Sequence, residues 1–103
     1  MNPLLLQQLE RIAEHGIQLL SIPQITTHFV FERDGFAVLV ERTAEGFGQI
    51  GSPGLLNQNG FHALVERGGH TLFVSKNVEL PAPPEETRGA RRLLADLRQA
   101  LGQ

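Results

Sequence analysis

His28-Phe29-Val30-Phe31-Glu32-Arg33-Asp34-Gly35-Phe36-Ala37-Val38-Leu39-Val40 is written a second time, 34 residues on, as His62-Ala63-Leu64-Val65-Glu66-Arg67-Gly68-Gly69-His70-Thr71-Leu72-Phe73-Val74. The two stretches align without a gap. His28 falls on His62, Glu32-Arg33 on Glu66-Arg67, Gly35 on Gly69 and Val40 on Val74. Asp34-Gly35 and Gly68-Gly69 sit between apolar runs. Such pairs favour a type I′ hairpin turn, which needs positive φ at both central residues. Each stretch therefore reads as a β-hairpin, and the chain as a hairpin duplicated.

A two-residue turn pairs Arg33 with Phe36 and sets the register from there. One face of the first hairpin then carries Phe29, Phe31, Phe36, Val38 and Val40. The other carries His28, Val30, Glu32, Ala37, Leu39 and Glu41. The second hairpin follows the same pattern. Phe61, Ala63, Val65, Leu72 and Val74 share one face, and His62, Leu64, Glu66, Thr71, Phe73 and Ser75 the other. The expected strands are 25–33, 36–43, 61–67 and 70–76.

Outward from the hairpins, two helices are expected. Asn2-Pro3 reads as an N-cap followed by Pro at the first helical position. Leu5, Leu9, Ile12 and Ala13 then recur at helical spacing, and Gly16 is a left-handed stop with Ile17 closing back on Ile12. This predicts a helix over 3–15. Ile17 to Ile22 reads as an apolar connector. Pro81, Pro83 and Pro84 form a stiff linker, after which Ala90, Leu93, Leu94, Leu97 and Leu101 stripe a helix starting near Glu85. Gly102 and Gln103 should fray. Between the hairpins, Glu45–Gly51 is Gly-rich, with room for a short edge strand at Phe47–Ile50. Ser52-Pro53 looks like a second cap, giving a short helix over 53–58.

The expected fold class is α+β: an antiparallel sheet of two repeated hairpins, four strands with room for a short fifth, and N- and C-terminal helices packed on its Phe29/Phe31/Val65/Leu72 face. At 103 residues the chain makes one domain over 1–103. A net charge of −2 gives no electrostatic case for nucleic acid. With no Cys, disulfides, Cys-based metal sites and a thiol nucleophile are excluded. No run approaches the roughly 18 apolar residues of a membrane span, and the start lacks signal-peptide character. A cytoplasmic location, no cofactor and no membrane partner are the expectations.

Few residues carry chemical suggestions. Gly46-Phe47-Gly48-Gln49-Ile50-Gly51 spells G-x-G-x-x-G. A dinucleotide site also needs a long helix directly after it, and Ser52-Pro53-Gly54 interrupts that. His28 faces Glu41 across its hairpin, and His62 faces Ser75. If the hairpins converge, His28, His62 and Glu41 are candidates for a metal site or for acid–base work. The ordinary reading is two strand-end histidines matched because the hairpin is duplicated. Glu32-Arg33 and Glu66-Arg67 read as solvated turn charges. No residue has the surroundings of a catalytic nucleophile.

The order helix, two strands, short strand, short helix, two strands, helix is similar to that of the small dimeric chaperones of type III secretion. Leu55-Leu56-Asn57 before a hairpin and Val78-Glu79-Leu80-Pro81 before the last helix add to the resemblance. It implies binding of an unfolded effector stretch, a minor alternative here. The leading expectation is a non-enzymatic interaction or scaffold domain, a homodimer joined through Val30, Leu39, Leu64 and Phe73. The rival is a small metal-dependent enzyme or ligand binder using the His pair.

Overall fold

The structure is a computed structural model and describes residues 3–102. Helix α1 (Pro3–Glu14) leads into strands β1 (Gln18–Leu20), β2 (His28–Arg33), β3 (Phe36–Thr43), β4 (Gly46–Asn57), β5 (Gly60–Arg67), β6 (His70–Ser75) and β7 (Val78–Pro81), and α2 (Pro84–Ala100) closes the chain. Among the described residues, all seven strands form one antiparallel sheet in sequence order, a meander. The α+β layout with a helix at each end is as expected, but four strands with a short fifth is not. Strands β1 and β7 come from segments that read as connector and pre-linker. The Gly-rich middle is one strand of 12 residues, so no helix occupies 53–58.

Both hairpins have the expected register. Arg33 pairs with Phe36 and His28 with Glu41; Arg67 pairs with His70 and Ala63 with Val74. Asp34, Gly35, Gly68 and Gly69 all have positive φ, as a type I′ turn requires. Gly16 ends α1 at φ 73°, and Ile17 N–H donates to the Ile12 carbonyl. That bond puts Ile12 and Ile17 in one buried cluster. The proposed cap Asn2 and the terminal Gln103 lie outside the described residues.

The face assignment of the second hairpin is corrected. Strand β4 pairs Phe36 with Leu55, and β5 pairs Leu55 with His62. Cross-strand partners share a face, so the row Phe36–Leu55–His62 continues to Ser75 and Val78 on one side of the sheet. This is the helix-bearing side. There Ile12, Phe31, Val38, Val40, Leu93 and Leu97 form the larger core cluster. Phe73 and Ala90 form a smaller one, with Phe36, Leu55, Leu64 and Leu80 against it. Val65 and Leu72, assigned to the helix side by analogy with Phe31 and Val38, therefore lie on the opposite, helix-free side. A side chain changes face with every residue of register, and the turn at Gln58-Asn59 decides which residue of β5 meets Leu55.

Strand β4 is bulged twice. Between Arg42 and Val40 its partner runs from Phe47 to Ile50, and between Val40 and Val38 from Ile50 to Pro53. Three residues thus oppose two at each step, the signature of a bulge. At the first bulge the backbone passes so close to β3 that a Cβ on Gly48 would meet Glu41 Oε1 at 2.6 Å and Thr43 Cγ2 at 2.7 Å. The G-x-G-x-x-G spelling is therefore a bulged strand pressed against its neighbour. Strand β4 pairs with β5 only over Gly54–Asn57, so the sheet opens between Gly46–Pro53 and the far end of β5.

Candidate functional site

The histidine pair does not converge. His28 lies on the helix-free side opposite Glu41, and its Nδ1 is 2.8 Å from Thr27 Oγ1. His62 lies on the helix side, 0% exposed. Its Nδ1 is 2.8 Å from Ser75 Oγ, and its Nε2 is 3.0 Å from Asn57 Oδ1. Asn57 Oδ1 also accepts the Asn59 N–H at 2.8 Å, which fixes the amide orientation and makes His62 Nε2 a donor. In the neutral ring Nδ1 then accepts from the Ser75 hydroxyl. This network ties the β4–β5 turn to β6 and satisfies every polar atom of a buried ring. Among the described residues, no three of His, Cys, Asp and Glu are grouped to hold a metal ion.

The four expected interface residues do not form one patch. Val30 pairs with Leu39 on the helix-free side, whereas Leu64 pairs with Phe73 on the helix side. Val30 is 1% exposed and Phe73 0%, buried by the chain itself. The turn charges also differ from expectation. Arg33 donates to the His15 carbonyl at 2.9 Å and pairs with Asp96 at 2.9 Å while largely buried, so it joins the end of α1, the β2–β3 turn and α2. Glu32 accepts the Gly35 N–H within its own turn. Glu66 pairs with Arg91 and Arg67 with Glu79, both in solvent.

What remains partly open is the β5–β6 part of the helix-free side, since Val30 and Ala37 on β2 and β3 are buried there. Phe61, Ala63, Val65, Leu72 and Val74 stand there half-buried along β5 and β6. Next to them is a cavity of about 690 Å³ between the β1–β2 connection and the β4–β5 turn. Its apolar walls are Leu20, Ile22 and Ile25 on one side and Leu56 and Phe61 on the other. Its polar lining is Gln24, Asn57, Gln58 and Asn59. A Cβ on Gly54 would overlap the His62 carbonyl oxygen and meet the Phe61 ring at 2.7 Å, so the absence of a side chain at 54 leaves room for β5 and for the ring that lines the cavity. A second cavity of about 540 Å³ opens where β4 leaves β5, and His28, Glu41, Leu39 and Arg98 reach it.

The chain matches no family model, no curated protein and no solved structure. The element order behind the resemblance to type III secretion chaperones is also replaced, because Leu55-Leu56-Asn57 is strand and seven strands separate the helices. Among the described residues, no helix is long and apolar enough to cross a membrane.

Hairpin periodicity gave no sign of the 690 Å³ cavity, but the charge pattern does. Residues 15–31 and 46–65 are the two longest stretches without Asp, Glu, Lys or Arg. Every residue lining that cavity belongs to one of these two stretches.

Proposed function

We propose that this chain is a non-enzymatic interaction domain that binds through the helix-free side of its sheet, with a second copy of itself as the partner on β5 and β6. The observation that carries this reading is the partly buried apolar group Phe61, Ala63, Val65, Leu72 and Val74, none of which belongs to the core clusters packed by the helices. Contiguous apolar surface of this kind on a folded chain marks a contact surface. The molecule measures 43 × 25 × 21 Å, so one broad side has room for the ~800 Å² per partner of a standard interface. A twofold pair presents the same patch from both chains, which makes an apolar surface self-complementary.

Sedimentation of wild type and Val65→Asp at micromolar concentration tests this. A wild-type dimer that becomes a folded Val65→Asp monomer is the expected result. A wild-type monomer removes the homodimer, and a dimer that survives Val65→Asp removes the assigned surface.

A further inference from the structure

We propose that Asn59-Gly60, in the β4–β5 turn, is a site of spontaneous succinimide formation, and that the isoaspartyl product loosens the turn that sets the face of the second hairpin. The proposal does not depend on the reading of the helix-free side as a contact surface.

The sequence singles out this residue. Asn stands at positions 2, 57, 59 and 77, and only Asn59 precedes Gly. The reaction is an attack by the backbone nitrogen of the following residue on the side-chain carbonyl carbon of Asn. A glycine has no Cβ to hold its nitrogen away from that carbon, so the ring closes most readily there. The nitrogen of Gly60 gives up its proton and bonds to Asn59 Cγ. The Cγ–Nδ2 bond breaks, and ammonia leaves. Water then opens the succinimide at either carbonyl. One product is aspartate at position 59. The other is isoaspartate, in which the main chain runs through Cβ and is one carbon longer.

The turn leaves the reacting atoms accessible. Gln58 and Asn59 are exposed. The Asn59 backbone N–H is held by Asn57 Oδ1, but its carboxamide has no hydrogen-bond partner among the described residues. A Cβ at Gly60 would meet nothing within 4 Å, so no neighbour covers the attacking residue. Neither Gln58 nor Asn59 has the positive φ of a type I′ turn, so the turn fits the twist of its strands less well. The last pair of the ladder is Asn57–Gly60. Opening it frees the Gly60 nitrogen, and the end of a ladder opens at a small fraction of the cost of global unfolding. The first hairpin gives the contrast. Asp34-Gly35 offers a carboxylate, a poorer acceptor of a nucleophile than an amide, and Gly35 N–H already donates to Glu32 Oε2 at 2.9 Å.

The two products have different consequences. This turn decides which residue of β5 meets Leu55, and Leu55 pairs with His62. An extra main-chain carbon displaces Gly60 relative to Asn57, and with it the 3.0 Å bond between His62 Nε2 and Asn57 Oδ1. Plain aspartate adds a charge but no length, so the ladder stays in register. It becomes the only charge in the stretch 46–65, at the rim of the 690 Å³ cavity.

Incubation of the intact protein at mildly alkaline pH tests the site, with residue 59 followed by peptide mass spectrometry and by isoaspartyl methyltransferase labelling. Asn59 should convert, mainly to isoaspartate, while Asn57 and Asn77 stay intact. Urea below the unfolding transition should leave the rate unchanged, because only the turn has to open. Asn59→Gln, whose longer side chain would need a larger ring, should show no conversion over the same period. The isoaspartyl fraction, resolved by chromatography, should unfold at lower urea than the unmodified protein. Asn59→Asp should unfold at the wild-type midpoint.

An intact Asn59 under conditions where the urea-unfolded chain converts would overturn the site. So would a conversion rate that rises with urea in step with global unfolding, because the folded turn would then be protecting the residue. An isoaspartyl fraction with the wild-type midpoint would overturn the effect on the hairpin.

Discussion

His28 and His62 occupy equal positions in two hairpins of equal register, yet they have opposite surroundings. His28 sits partly exposed beside Thr27 on the helix-free side. His62 is enclosed, with both ring nitrogens engaged, on the side that carries α2. The same inversion separates Val38, in the core, from Leu72, its counterpart on the open side. Within a hairpin, register follows from the turn. Between hairpins it follows from β4, whose bulges and second turn set which face the next hairpin presents. A duplicated sequence can therefore have one copy bury what the other exposes.

Substitution of matched positions should show this inversion, and the largest contrast is a charge placed at each. Val38→Asp puts a carboxylate among Phe31, Leu93 and Leu97 with no partner. It should cost more than about 4 kcal/mol, enough to abolish cooperative unfolding. Leu72→Asp faces the open side and should leave a folded chain in the same urea titration. Equal loss at both positions would mean that the two hairpins share a buried face after all.

The histidines give the next contrast. His62→Ala removes the partner of Asn57 and Ser75 inside the protein and should cost about 1–3 kcal/mol. His28→Ala should stay within about 0.5 kcal/mol, the ordinary range for a surface change. The free energies from denaturant unfolding should differ in that order.

The smallest contrast lies in the turn arginines. Arg33 is shielded and bridges the end of α1 to Asp96, whereas Arg67 and Glu79 meet in solvent. Arg33→Gln should cost about 1–2 kcal/mol, since a hydrogen bond to a charged group is worth more than a neutral one. Arg67→Gln should change stability by no more than about 0.5 kcal/mol, as for exposed pairs generally. The loss at Arg33 should persist in high salt, where the small effect at Arg67 disappears.

Some elements were legible from residues alone because their signals are local. Asp34-Gly35 and Gly68-Gly69 fix their turns through φ, and Gly16 with Ile17 ends α1 through a contact within the same few residues. The Leu93, Leu97 and Leu101 stripe follows helical geometry and is buried as expected. Strand β4 was not legible, for an equally local reason. Its two bulges place Phe47, Ile50 and Pro53 on one face at every third residue, which breaks the alternation by which a strand is recognised. Strands β1 and β7 are three and four residues long, too short to display a period at all. An apolar patch was expected on the sheet, but two of its four named residues, Leu64 and Phe73, lie on the helix side.

By itself the sequence determined the two hairpins, their registers and the two amphipathic helices, because each depends on residues a few positions apart. Only the tertiary structure decided that His28 and His62 lie on opposite sides, that Val65 and Leu72 face away from the helices, and that two charge-free stretches meet around one cavity. Those outcomes depend on how β4 pairs with both neighbours. A shift of one residue at that strand would exchange the faces of the whole second hairpin while leaving every local pattern unchanged.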